Sequence, residues 1–226
     1  MVTLLFTFFV WYDFVWRWSM FNRKCKITYI AHGSTIFTEN HKLSSGSQYP
    51  PINKNGEQQM YKIVEFIKNR GVKNDKIISG PSLCTIQSSE IIAEELKKEF
   101  VIDEALSPRL YGEWEGLTFE QIKKKYPDFS DNDPFQILLK TPEKGESLAD
   151  FNNRIKVAID NVIEYNLEKR LIVVTHPVII RAAICLALNI PIEQQYNIYV
   201  RTGSANQISY FNNWSVLKYS NYVPFI

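Results

Sequence analysis

Short apolar runs alternate with stretches of helical periodicity along most of this chain. "KITYIA" (26–31) and "RLIVVT" (170–175) are typical of buried strands. Between them, Met60, Ile63, Val64 and Ile67 recur at helical spacing before Gly71, and further helical patterns follow. Strands that alternate with helices predict an α/β sandwich with a mostly parallel central sheet. Two final apolar segments, "QISYF" and "WSVLKY", predict a C-terminal hairpin across Asn212 and Asn213.

Two of the three histidines come directly after the two most apolar strands. These are His32 and His176, whereas His41 lies in a polar loop over 36–55 and is expected to be solvated. Ligands of parallel sheets bind beyond the carboxyl ends of the strands. We therefore expect His32 and His176 to face each other at one edge of the sheet. A single histidine is more often structural than catalytic, and the equivalent placement of two leaves both interpretations open.

Composition narrows the class of partner and compartment. The 226 residues suit one domain, or one domain with a small insert, and the net charge of +2 gives no support for a nucleic-acid partner. The cysteines Cys25, Cys84 and Cys185 are few, odd in number and widely spaced, which argues against a disulfide framework. No pair of them has zinc-ligand spacing. We expect a cytoplasmic protein.

Residues 1–20 form a separate hydrophobic and aromatic segment that carries Asp13 and Arg17. The segment is short for a membrane span and lacks the basic start and small-residue cleavage site of a signal peptide. Three interpretations stay open. It is a weak membrane anchor, an extension upstream of a true start at Met20, or a buried helix. If it inserts, the basic residues that follow would keep the rest of the chain cytoplasmic.

Six segments between Lys26 and Tyr219 resemble, in order, the motifs of the histidine phosphatase superfamily, the phosphoglycerate mutase-like proteins. They are "AHGST", "PINKNGEQQ", "SGPSLCTIQSSEIIAEEL", "YGEWEGLTFEQI", "KGESLADFNNRI" and "VVTHPVIIRAAI". The resemblance implies a three-layer α/β/α sandwich of the phosphoglycerate mutase type over residues 26–219. The compact chain is more similar to the small phosphatase branch, which includes alpha-ribazole and broad-specificity phosphatases, than to the mutases. That chemistry needs no cofactor and no metal.

The same resemblance assigns roles to individual residues. His32 would attack a phosphoryl group and become phosphohistidine, and His176 would bind the same phosphoryl oxygens. In the family, two arginines neutralise the phosphoryl charge, a carboxylic acid protonates the leaving oxygen, and a backbone N–H adds a donor. Gly33 and Thr35 of the first motif are candidates for substrate binding, as is Arg109.

Several positions depart from the family pattern. Ala31 and Cys84 stand where the family has its two arginines, Pro108 stands at the acid, and Pro177, which has no N–H, follows the second histidine. We therefore expect impaired catalysis. Arg109, or the more remote Arg201, is the candidate to replace the lost charge. "GEWEG" offers two carboxylates as a displaced acid, although the family uses this stretch as structure. Arg181 is interpreted as a helix residue.

Three functions follow from this pattern. The chain is a member with degraded catalysis that binds or scaffolds, or an active phosphomonoesterase with a remodelled pocket, or a membrane-associated regulator anchored by residues 1–20. The substrate of an active enzyme would be a small phosphorylated molecule or a phosphoprotein. The assembly is a monomer or a homodimer. Cys84 either fills the space of the arginine or is a redox-sensitive thiol, and it lacks the cationic neighbours that would lower its pKa.

Overall fold

The computed structural model describes residues 23–44, 50–71, 73–127 and 134–224. The hydrophobic segment 1–20, with its three interpretations, lies outside these residues. Within the described ranges, no helix combines the length and the apolar character that crossing a bilayer requires.

A six-stranded sheet forms the centre of the fold, with the strand order β3-β2-β4-β1-β5-β6. The strands are β1 (Arg23–Ala31), β2 (Lys76–Ser79), β3 (Phe100–Ile102), β4 (Arg170–Thr175), β5 (Ala205–Phe211) and β6 (Ser215–Tyr222). The strands β1 to β4 are parallel to one another, whereas β5 runs antiparallel to both β1 and β6. The predictions of a mostly parallel sheet and of a C-terminal hairpin are confirmed.

Helices cover both faces of the sheet. They are α1 (Ile36–Glu39), α2 (Lys54–Asn69), α3 (Leu83–Leu96), α4 (Phe119–Lys125), α5 (Pro134–Leu139), α6 (Leu148–Glu164) and α7 (Pro177–Leu188). Side-chain caps start the two longest, because Asn53 accepts from the Gly56 N–H and Ser147 from the Asp150 N–H. The predicted polar loop over 36–55 contains the short α1, which Thr35 begins through a capping box with Thr38.

Alternate residues of the central strands enter two different cores, since successive side chains of a strand point to opposite faces. Ile27, Tyr29 and Val173 join the apolar residues of α6 and α7 in one cluster. Ile30 and Val174 join those of α2 and α3 in another. A residue two positions beyond Ile30 or Val174 continues on the side of α2 and α3. His32 and His176 occupy these two positions.

The register of β1 and β4 brings the two strand ends level. Ala31 pairs with Thr175, and the His32 N–H donates to the Thr175 carbonyl at 3.0 Å. The Gly203 N–H, just before β5, donates to the His32 carbonyl at 3.0 Å. The backbone of His32 is thus fixed from both sides.

Candidate active site

His32 and His176 face each other at the carboxyl edge of the sheet, which confirms the prediction of their placement. Their ring centroids are 4.7 Å apart, with an interplanar angle of 68°. Both side chains are buried, with 4% and 5% of their surfaces exposed. The two rings therefore share one buried site.

The Gly33 carbonyl fixes the tautomer of His32. Nδ1 of His32 lies 2.8 Å from that oxygen, and a carbonyl oxygen can only accept a hydrogen bond. Nδ1 consequently carries the proton, and Nε2 holds the lone pair. Burial lowers the pKa of His32 to about 4, partly opposed by the Gly33 carbonyl. Near neutral pH the ring is an oriented, uncharged nucleophile or ligand.

Ser82 contacts the second histidine. Its Oγ lies 2.8 Å from Nε2 of His176, and the side chain of Ser82 is buried. Burial, and to a lesser degree the neighbouring His32, hold the pKa of His176 well below its usual range. Ser82 is the N-cap of α3 and His176 is the N-cap of α7. The N-termini of two helices, each with a partial positive charge, thus meet at this site.

Gly33 belongs to a tight crossing of two backbones. A Cβ atom at Gly33 would lie 2.6 Å from the carbonyl oxygen of Gly56. The Gly33 N–H donates to Ser88 Oγ at 3.0 Å, and that hydroxyl donates to the Cys84 carbonyl at 2.7 Å. The first motif is therefore held directly against α3, with no room for a side chain at this position.

Thr35, the other predicted substrate contact of the first motif, is buried and caps α1. Its hydroxyl accepts from the Thr38 N–H at 3.2 Å. Its neighbour Ser34 bonds Gln59 Oε1 and lies 3.0 Å from the Thr202 hydroxyl. These contacts give Thr35 and Ser34 a local structural role. Substrate binding by Gly33 and Thr35 stays a prediction.

The family's two arginine positions hold buried, uncharged residues. Ala31 is fully buried in the core on the side of α6 and α7. Cys84 is buried in the first turn of α3, where burial raises the pKa of its thiol to about 12. The thiol is therefore protonated near neutral pH, in line with the sequence argument against a reactive cysteine. None of the three cysteines, all within described residues, forms a disulfide.

Prolines occupy the other two positions at which the sequence departs from the family pattern. Pro177 occupies the first position of α7, where it supplies no N–H beside His176. Pro108 is buried, and its carbonyl accepts from Arg154 at 3.2 Å. Neither position supplies a proton donor.

Arg109 is placed differently from the sequence expectation. It is fully buried, and its guanidinium donates to the carbonyls of Glu146 (3.0 Å), Leu138 and Lys140 (2.7 Å). Two of these carbonyls lie at the end of α5, where a cation caps the helix favourably. Arg109 thus holds the 138–146 segment in place, and its role in substrate binding stays a prediction.

Glu113 and Arg181 are also engaged in structural contacts. Lys125 and Lys144 each lie 3.0 Å from the Glu113 carboxylate and, through hydrogen bonds and charge, lower its pKa to about 2. Such a carboxylate is ionised near neutral pH and has no proton to donate. Arg181 donates to the Ile198 carbonyl at 2.9 Å, which agrees with its interpretation as a helix residue.

Sequence reasoning missed the roles of Ser82 and Ser88. Both lie in the segment "SGPSLCTIQSSE", but their types are common at helix starts and on helix faces, and neither signals a site by itself. The family resemblance places Cys84 at an arginine position of the same site, but sequence spacing does not show how close its thiol comes to the two histidines. The side-chain ligand atoms of Cys84, His32 and His176 all lie within 4.8 Å of one another.

Three comparisons with known proteins bear on this site. The family model described as "Histidine phosphatase superfamily (branch 1)" matches residues 27–222. "Phosphoserine phosphatase 1" of Hydrogenobacter thermophilus is 26% identical over 150 residues, which are 64% of this chain and 68% of that protein. A bifunctional protein of Mycobacterium tuberculosis is 25% identical over 186 residues, which are 82% of this chain but only 50% of that protein.

Among solved structures, "Bacillus stearothermophilus YhfR" superposes with a TM-score of 0.78 at 20% identity. The match covers 88% of this chain and 98% of that one. At this identity the likeness shows a shared fold.

Proposed function

Because the chain belongs to the histidine phosphatase superfamily, we propose that it is a member in which phosphoryl-transfer catalysis is impaired. One observation carries the proposal. The shell around an intact histidine pair holds uncharged residues at all four positions to which the family resemblance assigns a catalytic group. These positions are Ala31, Cys84, Pro108 and Pro177.

The expected loss is large. An arginine that stabilises a phosphoryl-transfer transition state contributes about 10³ to 10⁵ in rate. A general acid contributes about 10² to 10⁴, and one oxyanion donor about 10² to 10³. Such effects do not add fully, because the groups act as a unit. A rate at least about 10³ below that of an intact relative is the conservative expectation.

The electrostatics of the pair support the same proposal. Burial is the largest cause of the lowered pKa of both histidines; the charge of His32 lowers the pKa of His176 further, whereas the Gly33 carbonyl partly opposes the shift at His32. Arg109, the nearest candidate in sequence for a replacement cation, is held by three carbonyls. A dianionic phosphate at this site would therefore lose its hydration without gaining the charge of Arg109 in compensation.

An active phosphomonoesterase is the second candidate function, and one specific arrangement favours it. His32 keeps the tautomer and orientation of a nucleophile, and the N-termini of α3 and α7 converge beside it. Helix N-termini attract phosphate. In this case the substrate would be a small phosphorylated molecule, of the kind that the name of the phosphoserine phosphatase relative indicates. A cytoplasmic location is part of both proposals.

The test is phosphate release by the full chain from a panel of phosphomonoesters that includes phosphoserine. The Hydrogenobacter phosphatase serves as the positive control and His32→Ala as the negative one. Turnover no higher than that of His32→Ala supports impaired catalysis. Turnover that His32→Ala abolishes and that lies within about 10³ of the rate of the Hydrogenobacter phosphatase refutes it in favour of the second candidate.

A variant with arginine at both Ala31 and Cys84 tests whether the missing arginines cause the impaired catalysis. Both side chains are buried, so its unfolding in urea is measured alongside its activity. A folded variant that gains phosphatase activity shows that the missing cations limit the wild type. A folded variant without activity places the defect in the acid and the N–H donor.

A further inference from the structure

We infer that His32, Cys84 and His176 form a binding site for a thiophilic divalent metal ion, with Zn²⁺ the ion that best suits these donors. Their ligand atoms all lie within 4.8 Å of one another, and all three residues are buried. This inference goes beyond the proposed loss of catalysis. It gives Cys84, which stands where the family has an arginine, a role as a metal ligand.

The separations approach those of a bound ion. At zinc–nitrogen and zinc–sulfur bonds of about 2.0 and 2.3 Å, ligand atoms at tetrahedral angles lie about 3.3 to 3.6 Å apart. The largest separation here, at most 4.8 Å, therefore has to shorten by only about 1 Å. Small changes in side-chain torsions around a central ion provide such a movement.

The donor set selects the class of metal. Two imidazoles and one thiolate suit Zn²⁺ and copper, whereas Mg²⁺ and Ca²⁺ prefer carboxylate and carbonyl oxygens. Three protein ligands also leave a fourth tetrahedral position open, as in zinc sites that bind water or a substrate oxygen. Binding replaces the proton on Cys84 Sγ by the ion and releases that proton to solvent, without any change in oxidation state.

Neighbouring groups orient the ligands. The Gly33 carbonyl accepts from Nδ1–H of His32 and so leaves Nε2 of that ring as its ligand atom. Ser82 Oγ bonds Nε2 of His176 at 2.8 Å, and the Ser88 hydroxyl donates to the Cys84 carbonyl. The three ligands also stand on three ordered elements, since they follow β1, begin α3 and follow β4. Because neighbouring groups already orient these ligands, less ordering is needed when the ion binds, which lowers the cost of binding.

Two consequences follow for the site. A divalent ion bound to one thiolate adds a net positive charge where the family resemblance places two arginines. It also uses the lone pair of His32 Nε2, so that metal binding and formation of a phosphohistidine exclude each other at this atom.

The test uses the full chain, purified in reducing buffer and stripped with a chelator. Zn²⁺ binding is measured by calorimetry, and Co²⁺ binding by its thiolate-to-metal absorption in the near ultraviolet, so neither readout depends on phosphatase activity. We expect one equivalent per chain. Because even loss of a group that only orients a ligand costs about 10- to 100-fold, Cys84→Ser and His176→Ala should each weaken binding by more than about 100-fold.

Cys185→Ser is the matched control, since Cys185 is also a buried cysteine but lies outside the cluster. It should bind Zn²⁺ like the wild type and keep the cobalt absorption. Unfolding in urea without metal verifies that each variant is folded. Absence of binding to the wild type would overturn the inference, and so would undiminished binding to a folded Cys84→Ser variant. Either result would leave the phosphate-release test of impaired catalysis unaffected.

Discussion

Replacement of Arg109 by methionine should destabilise the protein strongly. The guanidinium is fully buried and donates to three carbonyls, of Leu138, Lys140 and Glu146. Methionine fills a similar length but donates no hydrogen bond. The three carbonyls would then be buried without these donors, which is the most costly way to lose a hydrogen bond.

The magnitude follows from these contacts. Hydrogen bonds to charged groups contribute about 1.5 to 3 kcal/mol each, so three at the lower end give about 4.5 kcal/mol. Removing the guanidinium also removes the cost of burying its charge, which reduces the loss somewhat. We expect about 4 kcal/mol, within the range of about 3 to 5 for breaking a buried charged contact. For a chain of this size that lowers the melting temperature by about 8 to 16 °C.

The assay is equilibrium unfolding in urea, followed by circular dichroism. Arg70→Met is the matched control, because Arg70 is exposed and its guanidinium only stacks near the rings of Phe66 and Tyr219. This exposed contact is worth about 0.5 to 1 kcal/mol. A loss below about 1 kcal/mol in Arg109→Met would refute the structural role. The guanidinium would then be available for the substrate role that the sequence suggested.

Two further predictions concern Gly33, which follows His32, and the titration of His32. Gly33→Ala should lower the free energy of unfolding by about 3 kcal/mol. The added Cβ would clash with backbone atoms of Gly56, which cannot move aside as a flexible side chain could. Gly71 is the control, because a Cβ there would enter open space and meet only the backbone strain of a φ of +60°. Gly71→Ala should lower the free energy of unfolding by only about 1 kcal/mol. Equal losses for the two variants in urea unfolding would contradict the steric argument. The pKa of His32 is about 4 in the folded chain and 6.5 ordinarily, so the unfolded chain takes up a proton first as the pH falls through this window. Between about pH 7 and about pH 5 the protein should therefore lose about 2 kcal/mol of stability on account of His32. In His32→Asn, the stability lost between these two pH values should be smaller by the contribution of His32. If the wild type and His32→Asn show the same dependence of stability on pH, titration of His32 is not the cause.

The two catalytic-type histidines could be found from sequence because their signal is local. Each follows a run of apolar residues whose length and composition are typical of a buried parallel strand. The chain geometry of such sheets then brings both residues to the same edge. The resemblance of six ordered motifs to the family, aligned without gaps, also identified the four uncharged positions, and their place in a catalytic shell stays a prediction.

The role of Arg109 required the tertiary structure. In sequence it stands beside Pro108, close to the predicted acid, and nothing in its neighbours indicates a carbonyl partner about 30 residues away. Its contacts depend on how the 138–146 segment folds back over it. That packing is decided by distant residues rather than by local pattern.

The sequence by itself thus determined the alternation of strands and helices and the placement of both histidines. It also determined which strand residues face each side of the sheet. All three depend on periodicities of a few residues, which local backbone geometry enforces. Only the tertiary structure showed that the ligand atoms of Cys84 and the histidine pair lie within 4.8 Å of one another, and that three backbone carbonyls hold Arg109. The side chains of Cys84 and His176 are 92 positions apart in the chain, and their approach depends on the packing of α3 against the end of β4. Contacts over such separations are set by the packing of the whole core, which no short stretch of sequence encodes.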